Sequence, residues 1–346
     1  MKTDHRRREF LKTAALAGIG LGLSHSAYSI EESPEIMEGG KIGMIGLDTS
    51  HVIAFTRTIN ESPAGSEFDG FKVTAAYPTK GSPDMPESIN RIEGFTNNIR
   101  EMGVEIVGSI DELLEKVDFV LLESVDGRRH LEEAIPVLKA GKRMYIDKPL
   151  SNSLVGAIAI MEASKKYNTP IFSSSSTRFS PVSREIARGR EGIGKVLGVD
   201  AYGSGYKVVG HIDMAFYGIH AIECLFTLMG TGCKSVVRVH NPKTDIIVGT
   251  WEDDRVGVYR TAPRGSGAKV YGEDGIEDIR TGAGYTPLLV EVMEYFRTGI
   301  VPVTPEETIE LFAFMKAADE SRLYGGTSID IEALIQKATR QAKALI

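Results

Sequence analysis

From residue 41 the hydrophobic positions alternate between short apolar runs and longer stretches with helical spacing. The apolar runs, each predicted to be a strand, are residues 41–45, 71–77, 105–107, 119–123, 143–146 and 170–173. The stretches between them, each predicted to be an amphipathic helix, are residues 50–60, 87–102, 111–116, 129–140 and 154–167. Strands this apolar, separated by helices, favour a parallel sheet covered on both faces. We therefore predict a doubly wound α/β domain over residues 41–176.

The second half of the chain has a different pattern, in which strands come first and helices follow. Strand-like runs occur at residues 196–202, 235–240, 245–250 and 255–259, and helical patterns at 287–298, 306–322 and 331–346. Thr304, Pro305 and Glu307 supply the N-cap, first-turn and third positions of a capping box. These elements predict a second α/β domain over residues 177–346.

The first 29 residues differ from everything that follows. Residues 7–12, RREFLK, resemble the twin-arginine export signal, and a short Gly-rich apolar run and small residues at 27 and 29 follow as a cleavage site would require. This resemblance implies export of the folded protein to the periplasm by the export machinery, with any cofactor tightly held. The alternative is a basic, unstructured N-terminus. Residues 30–40 are predicted to be an N-terminal arm.

Composition and charge narrow the class of protein. With 42% hydrophobic and 25% charged residues, the chain has the composition of a soluble globular protein, and its 346 residues suit about two domains. A net charge of −7 argues against a nucleic-acid partner, which requires a basic face, and favours a neutral ligand over a polyanion. No uninterrupted apolar run approaches the length of a membrane span, so no membrane association is expected after signal removal. Cys224 and Cys233 are predicted to be buried free thiols rather than a disulfide.

The first strand-to-helix turn is the expected phosphate site of such a domain, but its sequence is unusual. Aligned on G-x-G-x-x-G, Gly46 fills the first glycine position, whereas Asp48 and His51 replace the second and third. Asp48 adds a side chain and a negative charge where a pyrophosphate normally lies. Thr49 and Ser50 partly compensate, because hydroxyl and N–H groups at a helix N-terminus bind anions. The alternative is that Asp48 merely caps the following helix.

The end of the second strand departs from the dinucleotide pattern as well. An acidic residue about 20 positions beyond the glycines normally binds the ribose 2′-hydroxyl of NAD. Tyr77 stands near that position here. Lys80 and Ser82, which follow it, would suit the 2′-phosphate of NADP.

Several short motifs together resemble the glucose–fructose oxidoreductase/inositol dehydrogenase (Gfo/Idh/MocA) family. Residues 145–150, YIDKPL, are similar to its E-K-P motif, and residues 218–223, GIHAIE, to the second half of its D-x-G-x-H-x-x-D pattern. Glu123, Ser124 and His130 after the fourth strand, and residues 177–181 at the crossover, agree with that order. The resemblance extends from residue 41 to about residue 331.

The resemblance implies a Rossmann domain followed by an α/β domain with an open, mostly antiparallel sheet. It implies an oxidoreductase that uses NAD or NADP to oxidise a sugar or sugar-derived alcohol, and that forms a homo-oligomer. The cofactor would contact the first turn, from Gly46 to His51, and Glu123, Ser124, His130, Asp147 and Lys148. Asp48 and Tyr77 depart from the family pattern and leave the identity of the nucleotide open.

In the family, the lysine of the E-K-P motif lies between nicotinamide and substrate, which implies a catalytic role for Lys148. A lysine suits proton transfer because burial and neighbouring charge readily shift its pKa. His220 matches the family histidine that binds the reacting hydroxyl or transfers its proton. Phe216 stands where the family has a substrate-binding Asp, so Asp213 or Tyr217 is expected to substitute for it, with Arg178 as a further substrate contact. The alternatives are a solvated loop lysine and a structural histidine.

Other interpretations of the same residues remain open. His211, Asp213, His220 and Glu223 are metal-ligand types, although a hydrogen-bonded polar cluster without a metal is the preferred interpretation. The serine run at residues 173–176 is predicted to line the pocket. Functional alternatives are an NAD-dependent glycosidase or lyase that uses transient oxidation, and a sugar-binding or metal-dependent protein that has lost the nucleotide.

Overall fold

The computed structural model describes residues 36–282 and 284–346. The predicted export signal and most of the predicted arm lie outside these residues. None of the helices in the described ranges combines the length and apolar character needed to cross a membrane.

The first half of the chain forms a six-stranded parallel sheet. Its strands are β1 (Gly40–Ile45), β2 (Phe71–Tyr77), β3 (Glu105–Ile106), β4 (Phe119–Leu122), β5 (Met144–Ile146) and β6 (Ile171–Ser173). Their spatial order is β3-β2-β1-β4-β5-β6, with every pairing parallel. This is the strand order of the Rossmann fold, so the predicted fold class is confirmed.

The helices of this half follow the predicted order with one interruption. They are α1 (His51–Asn60), α2 (Pro86–Ile89), α3 (Ile92–Glu101), α4 (Ile110–Leu114), α5 (His130–Lys139), α6 (Leu154–Lys166) and α7 (Pro181–Ala187). The single helix predicted over residues 87–102 is wrong, because the chain breaks at Asn90 and Arg91 into α2 and α3. The short α2 lies over the carboxyl ends of the strands, where it affects the site described below.

The second half forms a seven-stranded sheet and four helices. Its strands are β7 (Val196–Ser204), β8 (Cys233–Asn241), β9 (Thr244–Trp251), β10 (Val256–Ala262), β11 (Gly267–Gly272), β12 (Ile276–Arg280) and β13 (Ile329–Asp330). The order is β12-β11-β7-β10-β9-β8-β13, and all pairings except β7–β10 are antiparallel, as the resemblance implied. The helices are α8 (Ile219–Met229), α9 (Thr286–Thr298), α10 (Pro305–Leu323) and α11 (Ile331–Ala342).

Helix α9 packs on the first sheet although it follows the second sheet in sequence. The ring of Phe296 stacks on that of Phe119 in β4, with 4.7 Å between ring centroids. The hydroxyl of Tyr295 donates a hydrogen bond to the carbonyl of Pro170 and accepts one from the backbone N–H of Met144. One face of the parallel sheet therefore depends on residues more than 100 positions downstream.

The cysteine prediction is confirmed within the described residues. Cys224 in α8 and Cys233 in β8 are both buried and both free. Burial raises the pKa of both thiols, that of Cys224 to about 11 and that of Cys233 to about 12. Both side chains are therefore protonated core residues.

Gly46 is expected to be indispensable to the turn after β1. It has a φ of 85°, and a Cβ atom there would lie 2.3 Å from the Ser124 hydroxyl oxygen. Gly46→Ala should lower the free energy of unfolding by about 2 to 4 kcal/mol, from backbone strain plus overpacking. The free energy of unfolding is measured by titration with urea, with circular dichroism as the signal.

Gly65→Ala is the matched control. Gly65 has a φ of 79°, but a Cβ atom at this position would meet no other atom within 4 Å, so only the backbone cost of about 1 kcal/mol applies. Equal losses in the two variants would contradict the close approach of Gly46 to Ser124.

Candidate active site

A cavity of about 430 Å³ lies at the carboxyl ends of the parallel strands. Rossmann-type domains bind ligands at this edge of the sheet. Its lining includes Thr49, Ser50, His51, Arg91, Asp147, Lys148, Ser176, Thr177, Phe216, Tyr217, His220 and Tyr285. The two halves of the chain both contribute to it, so the structure brings together the first turn, the residues after β5 and the start of α8.

Lys148 is a buried lysine without an ionic partner in the described part of the chain. Its side chain follows β5, and the residue is 8% exposed. The Nζ atom lies 5.4 Å from the ring centre of Phe216 and 5.8 Å from that of Tyr217. Aromatic faces attract a cation at this distance. The alternative of a solvated loop lysine is therefore wrong.

His220 is held in one orientation at the cavity wall. Its Nδ1 atom is 2.6 Å from the Ser175 hydroxyl oxygen, and the Thr177 hydroxyl donates to its backbone carbonyl at 2.6 Å. Burial, followed by the positive charge of Lys148, lowers the pKa of His220 to about 3. The imidazole is therefore neutral at physiological pH, and no described residue hydrogen-bonds to Nε2, its other ring nitrogen.

Three of the predicted cofactor residues meet beside the cavity, which His51 and Asp147 line and next to which Glu123 is fully buried. The Nδ1 atom of His51 lies 2.7 Å from an oxygen of Asp147 and 4.0 Å from an oxygen of Glu123. Burial by itself would raise the pKa of Asp147, but His51 lowers it to about 2. Burial raises the pKa of Glu123 well above its ordinary value, and the charge of Asp147 adds to that shift. The pKa values of the two carboxyl groups are thus shifted in opposite directions despite their similar burial.

The other predicted cofactor residues lie behind the cavity. Both ring nitrogens of His130 are hydrogen-bonded to backbone carbonyls, those of Ser124 at 2.6 Å and Leu150 at 3.1 Å. The Ser124 side chain faces Gly46. Ser124 and His130 therefore fix the loop after β4 and present no group to the cavity.

Asp48 does not cap the following helix, so that interpretation is wrong. The N-cap residue of α1 is Ser50. One oxygen of Asp48 accepts a hydrogen bond from the backbone N–H of Val125 at 2.9 Å, and the other accepts one from the Ser88 hydroxyl at 2.5 Å. Burial raises the pKa of this carboxyl. Asp48 ties the turn after β1 to the loop after β4 and to α2.

The segment between β2 and α2 lies directly on the loop after β4. The Ser82 hydroxyl donates to Asp126 at 2.5 Å, and Arg128 binds Asp84 at 2.6 Å. Met85 is buried in an apolar cluster with Val125 and Phe216. The Ser82 hydroxyl is thus engaged by Asp126, whereas Lys80 is exposed, and binding of a 2′-phosphate stays a prediction. Tyr77 packs against the core.

The residues around the cavity can be compared with the parts of a nicotinamide dinucleotide. Such a ligand crosses the crevice outside the strand ends. The cavity fits its reactive end, since Thr49 and Ser50 at the N-terminus of α1 and Lys148 all line it. Residues 82–88 contact residues 125–128 beyond the end of β2, the strand whose end binds the adenosine ribose in Rossmann-type domains.

Two predicted substrate residues lie in ion-pair networks away from the cavity. Arg178 is buried and binds the carboxylates of Glu223 and Glu307. Asp213 lies 2.9 Å from Arg238 and 2.8 Å from Lys207. Tyr217, the third predicted substrate residue, does line the cavity.

The four residues of the alternative metal cluster are not brought together. Glu223 pairs with Arg178, Asp213 with Arg238, and His220 with Ser175. His211 has its Nε2 atom 3.4 Å from Asp126. The preferred interpretation, a hydrogen-bonded polar cluster lining the pocket, is wrong as well, because of the four residues only His220 lines the cavity.

Among the cavity residues that sequence reasoning missed are Arg91 and Tyr285. Arg91 lies in the break between α2 and α3, and Tyr285 precedes α9, so neither belongs to a motif. The Tyr285 ring packs edge-on against His51, with 4.8 Å between centroids. The serine run did signal its location, because Ser176 lines the cavity and Ser175 orients His220.

Arg178 is expected to be a structural rather than a substrate-binding residue. Arg178→Ala would leave the buried carboxylate of Glu223 without its cation, and removing one partner of a buried pair costs about 3 to 5 kcal/mol. The free energy of unfolding in urea should fall by that amount. Arg184→Ala is the control, because its pair with Glu291 is about one-third exposed and should cost less than about 1 kcal/mol. A stable Arg178→Ala protein that had lost only substrate affinity would contradict the structural role.

Comparison with known proteins relates this fold to solved structures. The sequence matches no family model and no curated protein. The fold is similar to that of an oxidoreductase from Thermotoga maritima (TM-score 0.66, 15% identity, covering 87% of this chain and 100% of that one). It is similar to myo-inositol 2-dehydrogenase from Lactobacillus plantarum (TM-score 0.66, 16% identity, 85% and 99% covered).

A third similar structure contains both a cofactor and a substrate. It is scyllo-inositol dehydrogenase from Lactobacillus casei with bound NAD(H) and scyllo-inositol (TM-score 0.62, 15% identity, covering 86% of this chain and 100% of that one). At these identities the likeness establishes the shared fold. This chain therefore has the two-sheet architecture of the inositol dehydrogenases.

Proposed function

We propose that this protein is an oxidoreductase that oxidises an alcohol carbon of a sugar or sugar-derived polyol, with a nicotinamide nucleotide as hydride acceptor. The observation that supports this most directly is the joint presence of Lys148 and His220 in one cavity at the carboxyl edge of a Rossmann sheet. The likeness to inositol dehydrogenases supports the same class of reaction.

The residues of the cavity suit the handling of a hydroxyl group. Lys148 is placed to take the hydroxyl proton, because its side chain lines the cavity with Nζ near the rings of Phe216 and Tyr217. His220 is neutral, and its Nε2 atom is left to hydrogen-bond a substrate hydroxyl. Phe216 and Tyr217 offer ring faces to the C–H bonds of a sugar ring. The nicotinamide, when bound, supplies the hydride acceptor.

Nucleotide reduction tests this proposal. The protein is incubated with NAD or NADP and a panel of cyclitols and aldoses, and absorbance of the reduced nucleotide is followed. Lys148→Met should lower kcat/KM by about 100- to 10,000-fold, the usual range for removal of a general base. Lys269→Met is the control, since Lys269 is an exposed residue of β11 paired with Asp278 and should retain full turnover.

A measurement of nucleotide binding distinguishes this proposal from a second candidate function. The contacts of residues 82–88 with residues 125–128, and Asp48 in place of the second glycine, support a carbohydrate-binding protein that works without a dinucleotide. Calorimetric titration with NAD and NADP, together with mass analysis of small molecules released from the folded protein, distinguishes the two. Absence of a nucleotide in both measurements would overturn the oxidoreductase proposal and favour the second candidate.

We also infer that the protein is exported to the periplasm. The support is the RREFLK sequence at residues 7–12, followed by a short apolar run. Replacing Arg7 and Arg8 together by lysine should retain the full-length protein in the cytoplasm, since the signal depends on the arginine pair. Cell fractionation with N-terminal sequencing checks this, and unchanged processing of that variant would contradict it.

A further inference from the structure

We propose that His51, Glu123 and Asp147 bind a single divalent transition-metal ion at the edge of the cavity. Each residue offers one ligand atom, and the three atoms lie within 4.8 Å of one another. Among the described residues, no other group of three such side chains is this compact. The site does not depend on the oxidoreductase proposal.

The three ligands are presented by adjacent elements of the parallel sheet. His51 is the first residue of α1, and Glu123 and Asp147 directly follow β4 and β5. Leu122 and Ile146 are paired in register, so the two carboxylates leave the sheet side by side. Rigid elements, rather than a flexible loop, therefore set the spacing of the ligands.

Glu123 provides an independent indication of a missing partner. Its side chain is fully buried, yet neither carboxylate oxygen has a hydrogen-bond partner. A buried carboxylate without partners costs several kcal/mol. One oxygen faces His51 Nδ1 at 4.0 Å, which is too long for a hydrogen bond but suits two ligands that share one ion. A cation between them would satisfy the carboxylate.

The surroundings orient the other two ligands. The His51 ring stacks on Phe55, with 5.2 Å between centroids and 15° between planes. The second oxygen of Asp147 lies 3.3 Å from the Tyr145 hydroxyl, which itself bonds the carbonyl of Ser174. Contacts of this kind fix the direction of metal ligands and strengthen binding.

The donor set indicates the class of ion and ligand. One imidazole and two carboxylates suit Mn²⁺, Fe²⁺, Co²⁺ or Zn²⁺. Three protein ligands leave coordination positions for other groups, and His51 and Asp147 both line the cavity. The external ligand expected there, which rests on the proposed function, is a hydroxyl or carbonyl oxygen of a carbohydrate in the cavity that Lys148 and His220 also line, because a metal ion polarises such oxygens.

Metal binding is measured without nucleotide or substrate, so its outcome is separate from that of the oxidoreductase proposal. The full chain is dialysed against EDTA and titrated with Mn²⁺, Co²⁺ and Zn²⁺ by calorimetry. We expect one ion per chain and a higher Tm in its presence, because a ligand that binds only the folded state stabilises it. Failure of all three ions to bind would overturn the proposal.

Substitution of the proposed ligands tests where the ion binds. Glu123→Gln and Asp147→Asn keep the side-chain shape and should each weaken binding by more than about 100-fold, since loss of an outer-shell partner alone costs about 10- to 100-fold. Glu133→Gln is the control, because Glu133 is another buried carboxylate, paired with Arg129 at 3.6 Å and outside the cluster. Circular dichroism of the metal-free variants confirms their folding. Native-like affinity in both site variants, or an equal loss in Glu133→Gln, would show that the ion binds elsewhere.

Discussion

The placement of two carboxylates at one end of an apolar sheet is the constraint around which the cavity is organised. Glu123 and Asp147 follow neighbouring, fully buried strands, so neither can move away from the other without breaking the β4–β5 pairing. Two negative charges that are this close and this poorly solvated require compensation. His51 supplies it for Asp147, and Lys148 lies near enough to lower the pKa of both carboxyl groups.

A third carboxylate, Asp48, has a different consequence at the neighbouring turn. In a dinucleotide-binding turn the backbone and helix N-terminus face an external anion. Here Asp48 is an internal anion whose two oxygens are satisfied by Val125 and Ser88. The turn is thus stabilised without a ligand, and α2 is held against it.

The sequence predicted the parts of this structure that follow from local patterns. The apolar runs predicted β1, β2 and β4. Short motifs identified Lys148 and His220, which both line the cavity in the structure. It did not predict β11 and β12, because their glycines and charges give no strand-like alternation. Nor did it assign Arg178 and Asp213 correctly to the interior networks they occupy, since ion pairs between residues as distant as Arg178 and Glu307 leave no local signal.

The packing of α9 on the first sheet also constrains the order in which the protein can be made. Leu289, Val292, Phe296 and other residues of α9, together with Val303, complete a core whose remaining buried members lie before residue 180. During synthesis, the parallel sheet leaves the ribosome with one apolar face partly uncovered until α9 has emerged. Chains tend to fold domain by domain from the N-terminus, and exposed apolar surface promotes aggregation. The nascent first half is therefore a natural client for chaperones until nearly 300 residues have been translated.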